Sequence, residues 1–237
     1  MARAETPPIG GLLGRLARRV DPARVRAHVA DVNDGIIAVA AMSEGLAGAG
    51  APSATVYSII VLTALAGATS VAGVRFGEVS ADREVELFLI EEEKRLLALS
   101  PEEEKAELAA LYEAKGLSPA LARQVADELS ASDALSAQLD AEYGLREFTQ
   151  ASTPWWDGLF AGIAFLAGAA VPVAIAYLFP GPWLWESTLA AAIASLTVTS
   201  IVLARLGQTQ VWRTIVRSLL VGAASLGLTA LVAALVS

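Results

Sequence analysis

The stretch LTALAGATSVAGVRFGEVSADRE, residues 62–84, changes character halfway along. It carries no charge as far as Val74, then meets Arg75, Glu78, Asp82, Arg83 and Glu84, with no proline between the two regimes. It runs on into REVELFLIEEEKRLLALS, residues 83–100, where Val85, Leu87, Phe88, Leu89, Leu96 and Leu97 recur among acids. The pattern reads as one helix that starts in an apolar medium and continues into water. The expected fold is therefore an all-α membrane protein in which a membrane helix feeds a water-exposed helical domain.

Working outward, four uncharged windows are long enough to span a bilayer: 53–74, 159–179, 187–204 and 218–237. A fifth, 31–49, is shorter and contains Asp34 and Glu44. Trp155, Trp156, Trp183, Trp185 and Trp212 sit near window edges, where amphipathic rings settle at headgroups. Arg15, Arg18, Arg19, Arg24 and Arg26 precede the first window, and Arg205, Arg213 and Arg217 separate the last two. Lys/Arg bias then puts the N-terminus inside and the C-terminus outside, and five spans satisfy every loop. The expected organisation is an N-terminal cytosolic arm (1–30), transmembrane helices 1–2 (31–78), an acidic cytosolic helical domain (79–150) and transmembrane helices 3–5 (151–237).

Composition narrows the function. The chain is 55% hydrophobic with mean hydropathy +0.54, too apolar for an ordinary soluble domain. No cysteine means no disulfide and no thiolate chemistry, and the single histidine, His28, rules out a multi-histidine site. A net charge of −8 argues against nucleic acid as partner. No nucleophile–base pair, phosphate loop or organic-cofactor motif is visible, so an enzyme is not expected. The N-terminal apolar residues are interrupted by arginines, so no cleaved signal peptide is expected.

Within 79–150, Ser100 and Pro101 with Glu103 read as a helix start with a capping box, and Gly116 as its stop. Ser118-Pro119 starts the next helix, and a further one runs over about 132–143 to Gly144. The apolar stripes of these helices are thin for a domain of this size, so self-association would help.

The residues that could carry chemistry are carboxylates. Glu104 and Glu107 are three apart and project from one helical face, where a divalent ion would turn mild repulsion into attraction. The alternative is a solvated acidic face. Asp34, inside a span, is either a functional acid or a cap at the inner interface near Arg26 or His28. Glu44, roughly 15 Å further along a straight helix, is either an interfacial acid near the outer turn or the outer end of a cation or proton path that begins at Asp34. Met42 offers a soft thioether but lies about 12 Å from Asp34, so core packing is its expected role. Arg75 reads as a snorkelling anchor or as a counter-ion to Asp34.

Taken together, DVNDGIIAVAAMSEGLAGAG (31–50), the 62–84 stretch, PEEEKAELAALYEAKGLSPALARQVADEL (101–129) and AEYGL (141–145) resemble the vacuolar iron transporter family, over about residues 25–237. The resemblance implies five spans per subunit, a homodimer, and export of ferrous and related divalent ions from the cytosol in exchange for protons. It places the family's span-one acid on Asp34 and its metal-collecting glutamates on Glu93, Glu104, Glu107 and Glu142. Other positions depart: the family's span-two methionine falls on Val71 beside Ser70, an earlier acid on Thr63, and further cytosolic ligands on Leu96, Gln138 and Leu139. Arg75 stands where the family has a small or neutral residue. Losing the soft ligand should shift preference from iron towards hard ions such as manganese.

The expected function is a divalent-metal exporter whose pathway includes Asp34, Glu44, Met42 and Arg75. Iron, manganese or zinc is its substrate, protons are its counter-substrate, and there is no organic cofactor. The competing expectation is a non-transporting, membrane-anchored metal sensor or interaction protein, motivated by Val71 and Arg75. Abundant Ala and a preponderance of Arg over Lys hint at a GC-rich bacterium, and so at the plasma membrane.

Overall fold

A computed structural model describes residues 22–179, 184–206 and 210–236. The arm residues Arg15, Arg18 and Arg19, the turn around Trp183 and the terminal Ser237 lie outside the described residues. Seven helices are described: α1 (Pro22–Gly48), α2 (Ser53–Leu99), α3 (Pro101–Ala114), α4 (Pro119–Tyr143), α5 (Thr153–Leu178), α6 (Leu184–Leu206) and α7 (Val211–Val236). Among the described residues there is no strand. The chain divides into two compact units, 1–75 with 157–237, and 76–156.

The opening stretch is helical throughout. α2 has 47 residues, about 70 Å at 1.5 Å per residue, and it begins in the first unit and ends in the second. α2, α5 and α7 are long and apolar enough to cross a membrane. The apolar part of α6, 187–202, is shorter, and α1 is not among the candidate spans.

In the first unit α1 is the inner helix. Val39 packs with Val56, Ile60, Ala64 and Ala68 of α2 and with Phe165, Ala169 and Ala176 of α5. Ile36 and Ala40 pack with Ala192 and Leu196 of α6. Between apolar helices in lipid, hydrophobic burial gives little selectivity, so close approach of backbones matters more. Two glycines provide it here. A methyl on Gly35 would strike the Phe165 carbonyl oxygen, and one on Gly168 would strike that of Val32. α1 and α5 therefore meet backbone to backbone.

In the second unit Leu108 and Ala109 of α3 pack on Ala126 of α4, with Tyr112, Leu129, Ala137 and Ala141 around them. Ser100 occupies the N-cap position of α3, but the expected capping box does not form. Its backbone (φ −140, ψ 57) makes no side-chain cap bond, and the Ser100 carbonyl accepts from Glu103 and Glu104 N–H instead. α4 leaves helical geometry at Asp133 (φ −157, ψ 90), where Asp133 Oδ1 accepts from Ser136 N–H at 3.1 Å and restarts the helix. This break separates the two helices expected from sequence. Gly144, at φ +70, ends α4 with its N–H on the Asp140 carbonyl. The chain beyond is tied to α2: Glu86 accepts from Thr149 N–H and Oγ1, each at 2.8 Å, and Arg83 Nε donates to the Thr149 carbonyl.

Candidate metal-binding site

The second unit brings three helices to one acidic centre. Glu93 comes from α2, Glu104 and Glu107 from α3, and Glu142 from α4. Glu93 is 1% exposed and Glu104 7%, whereas Glu107 and Glu142 are exposed. Burial, and then the carboxylates of Glu104, Glu142 and Glu107, push the Glu93 carboxyl from its ordinary 4.5 to about 7. Burial likewise raises Glu104, helped by Glu107 and Glu142. Gln138, itself 1% exposed, donates from Nε2 to the Glu104 carbonyl (2.6 Å) and to its Oε2 (3.3 Å). Tyr143 is hydrogen-bonded to Glu142, which pushes its hydroxyl up to about 12.

Among the described residues, no ion pair offsets this charge. Among the described residues, Arg95 pairs with Glu92, Lys105 with Glu102 and Asp127, and Arg146 with Asp140. Glu93, Glu104, Glu107 and Glu142 are in no ion pair. Three of the unit's basic side chains, Arg95, Lys105 and Arg146, thus pair with outer acids, while Arg83 and Lys115 donate to backbone carbonyls. The four do not close on a point, however: among the described residues no three His, Asp or Glu side chains stand close enough to hold an ion as they are.

The first unit places its acids on different sides of α1. Asp31, 5% exposed, lies 3.5 Å from Arg75 Nη2 and 3.6 Å from His28 Nδ1. Asp34 is exposed. Between them Asn33 accepts from Thr199 Oγ1 of α6 at 2.5 Å. Glu44 is 3% exposed and Met42 37%.

A profile of the VIT family matches residues 25–234. The chain belongs to the VIT family. It is 33% identical over 180 residues to a protein of Acanthamoeba castellanii named vacuolar iron transporter, an alignment that takes in 76% of this chain and 62% of that one. The chain therefore spans less than two thirds of that curated relative.

In this VIT-family chain the fold gathers Glu93, Glu104, Glu107 and Glu142 into one electrostatic neighbourhood. Asp34, Glu44 and Met42 do not share one face of α1. Met42 is not a core residue within the single chain, because its position on α1 faces away from both apolar clusters. Glu44, close in sequence to the turn at Gly50, is buried within the bundle, and α1 packs directly on α7 beside it: a methyl on Gly45 would strike Thr229. Arg75 meets Asp31, where a contact with Asp34 was the alternative. Asp31 was passed over in sequence. Its spacing of three from His28 was the available signal, while Arg75 is distant along the chain. Gln138 read only as a missing carboxylate, yet it holds Glu104 in place.

Proposed function

We propose that this VIT-family protein is a transporter that exports divalent metal, ferrous iron or manganese, from the cytosol in exchange for protons. The observation that carries the reading is the buried, cation-free pair Glu93 and Glu104, with Glu107 and Glu142 beside it. A merely solvated acidic face keeps its carboxylates in water. Burying them together raises their proton affinity and makes a divalent ion the natural neutraliser. The metal is substrate, gathered by these four glutamates, and its arrival would draw the carboxylates inward. Oxygen ligands alone suit hard or borderline ions.

In this reading residues 79–150 are the cytosolic collecting domain, 31–78 and 151–237 supply five spans, and the N-terminus is inside and the C-terminus outside. The membrane is a bacterial plasma membrane. The ion passes Asp34, whose exposure on α1 supports a homodimer, since a carboxylate facing lipid costs about 2.5–3.5 kcal/mol on insertion scales. A second copy covering that face would turn the cost into a paired-acid gate. The contact of Arg75 with Asp31 leaves Asp34 as the gate acid.

Proteoliposomes given an imposed pH gradient and a panel of ferrous, manganous and zinc ions test this. Metal flux is expected in the wild type and lost in Asp34→Asn, with metal binding by the full-length protein unchanged. Persistent flux in Asp34→Asn removes that residue from the pathway. Binding with no flux in the wild type favours the membrane-anchored sensor, a reading to which the absence of a thioether at Val71 lends support.

A further inference from the structure

Glu44 is a buried carboxylate on α1 that the metal route past Asp34 does not use. Its surroundings follow from helix register. Asn33 of α1 meets Thr199 of α6, and Ile36 and Ala40 share a cluster with Leu196 and Ala192. Partners on α6 thus fall back as α1 advances, and the next step in that series sets Glu44 level with Thr188. α7 runs the other way. Gly222 lies against Ile37 and Gly45 against Thr229, so Thr229 stands at the same level.

Two polar levels result, both between α1, α6 and α7. One holds Asn33 and Thr199, with buried Ser200 and Ser218 nearby. The other, about 16 Å along α1, holds Glu44 with Thr188 and Thr229. Ile36, Ala40, Ala192 and Leu196 fill the gap as an apolar layer. Thr188, fully buried, and Ser43, beside Glu44 in sequence, have hydroxyls with no hydrogen-bond partner among the described residues. Buried hydroxyls are rarely left so in a native bundle, and polar space of this kind is where water and mobile protons reside. Asp34 lies about 80° away around the helix axis, on the exposed side.

We propose that Glu44 is a proton-binding carboxyl at the level of Thr188 and Thr229, on a route between α1, α6 and α7 that is separate from the Asp34 face. It rests on the proton-exchange reading above for its role in transport, though not for the binding itself. The proton arrives to form the carboxyl O–H and leaves as the carboxylate returns, with no other bond altered. The apolar layer closes Glu44 off from the Asn33 level in this conformation, so the proton exchanges at the end of α1 that leads to Gly50. Among the described side chains, the arginines and the aspartate of the packed helices lie elsewhere. Arg205 of α6 and Arg213 and Arg217 of α7 are at the opposite helix ends, as are Arg75 of α2 and Asp157 of α5. Tyr57 of α2 and Tyr177 of α5 stack on each other at 4.9 Å. The side chain of Glu186 on α6 lies outside the described residues.

Infrared difference spectra of the full-length protein in lipid vesicles, recorded across pH, test this directly. A protonated-carboxyl C=O band is expected that Glu44→Gln removes and Asp34→Asn keeps. Thr188→Val, which retains Glu44, should move the midpoint of that band upward by about one pH unit by taking a hydroxyl from the carboxylate, whereas Thr229→Val should leave it in place, because the Thr229 hydroxyl donates to the Ser225 carbonyl. In proteoliposomes, Glu44→Gln should keep downhill metal flux and lose the accompanying proton movement. Absence of the band, or a midpoint indifferent to Thr188→Val, overturns the proposal. So does proton movement unchanged in Glu44→Gln. If the wild type moves no metal, the transport reading fails alone, and the infrared band still decides whether Glu44 binds protons.

Discussion

Substituting Glu93 by Gln tests the acidic centre at its most constrained point. Glu93 holds its proton up to about pH 7 in the fold against an ordinary value of 4.5. That upward displacement corresponds to about 3 kcal/mol at 1.36 kcal/mol per pH unit. The sign follows from proton counting. The folded state binds more protons than the unfolded chain between about 4.5 and 7, so this contribution is full below 4.5 and is lost as pH rises through 7. Above that, ionised Glu93 weighs against the fold, and Glu93→Gln should raise stability at pH 8 by up to about 3 kcal/mol and leave it nearly unchanged at pH 4.5. The same proton must leave when a metal ion takes the site. At pH 6 about nine tenths of Glu93 is protonated and at pH 8 about one tenth. Calorimetry of manganese binding to the full-length protein, in buffers of different ionisation enthalpy, should therefore show proton release falling from near one per ion at pH 6 to near zero at pH 8. Glu93→Gln should bind metal weakly and release no proton from this site. Equal proton release at both pH values, or wild-type affinity in Glu93→Gln, refutes the claim that Glu93 is a buried ligand poised near neutrality.

Gln138→Leu should lower metal affinity by about tenfold, the usual effect of losing a residue that orients a ligand, with little change in unfolding. Arg75→Gln should destabilise the protein in detergent by up to about 3 kcal/mol, because buried Asp31 then loses a cationic neighbour, and Asp31→Asn added to it should restore most of the loss. Gly168→Ala should lower the thermal midpoint, with a cost of about 1–3 kcal/mol or more, since the Val32 backbone has no easy way to yield. Gly227→Ala, where a methyl meets nothing within 4 Å, should not. Equal midpoints for the two would remove backbone packing of α1 on α5 from the account.

Short-range pattern was enough for the helices. Hydropathy and the lack of a break between Val74 and Glu84 determined the long α2, and Pro101, Pro119 and Gly144 marked the ends of the helices that follow, because helix start and stop chemistry is local. The candidate metal ligands were also nameable from sequence, since they lie where a known pattern places them. Only the tertiary structure decided which acids share a space and which have cations. Glu93 and Glu104 come from different helices, and their burial together depends on how α2, α3 and α4 pack. Arg75 reaches Asp31 and not Asp34, although both acids are within a turn of each other on α1. Glu44 turns inward because Gly45 lets α7 come close. Electrostatic environment depends on through-space distance and exclusion of water, and neither can be read from spacing along one chain.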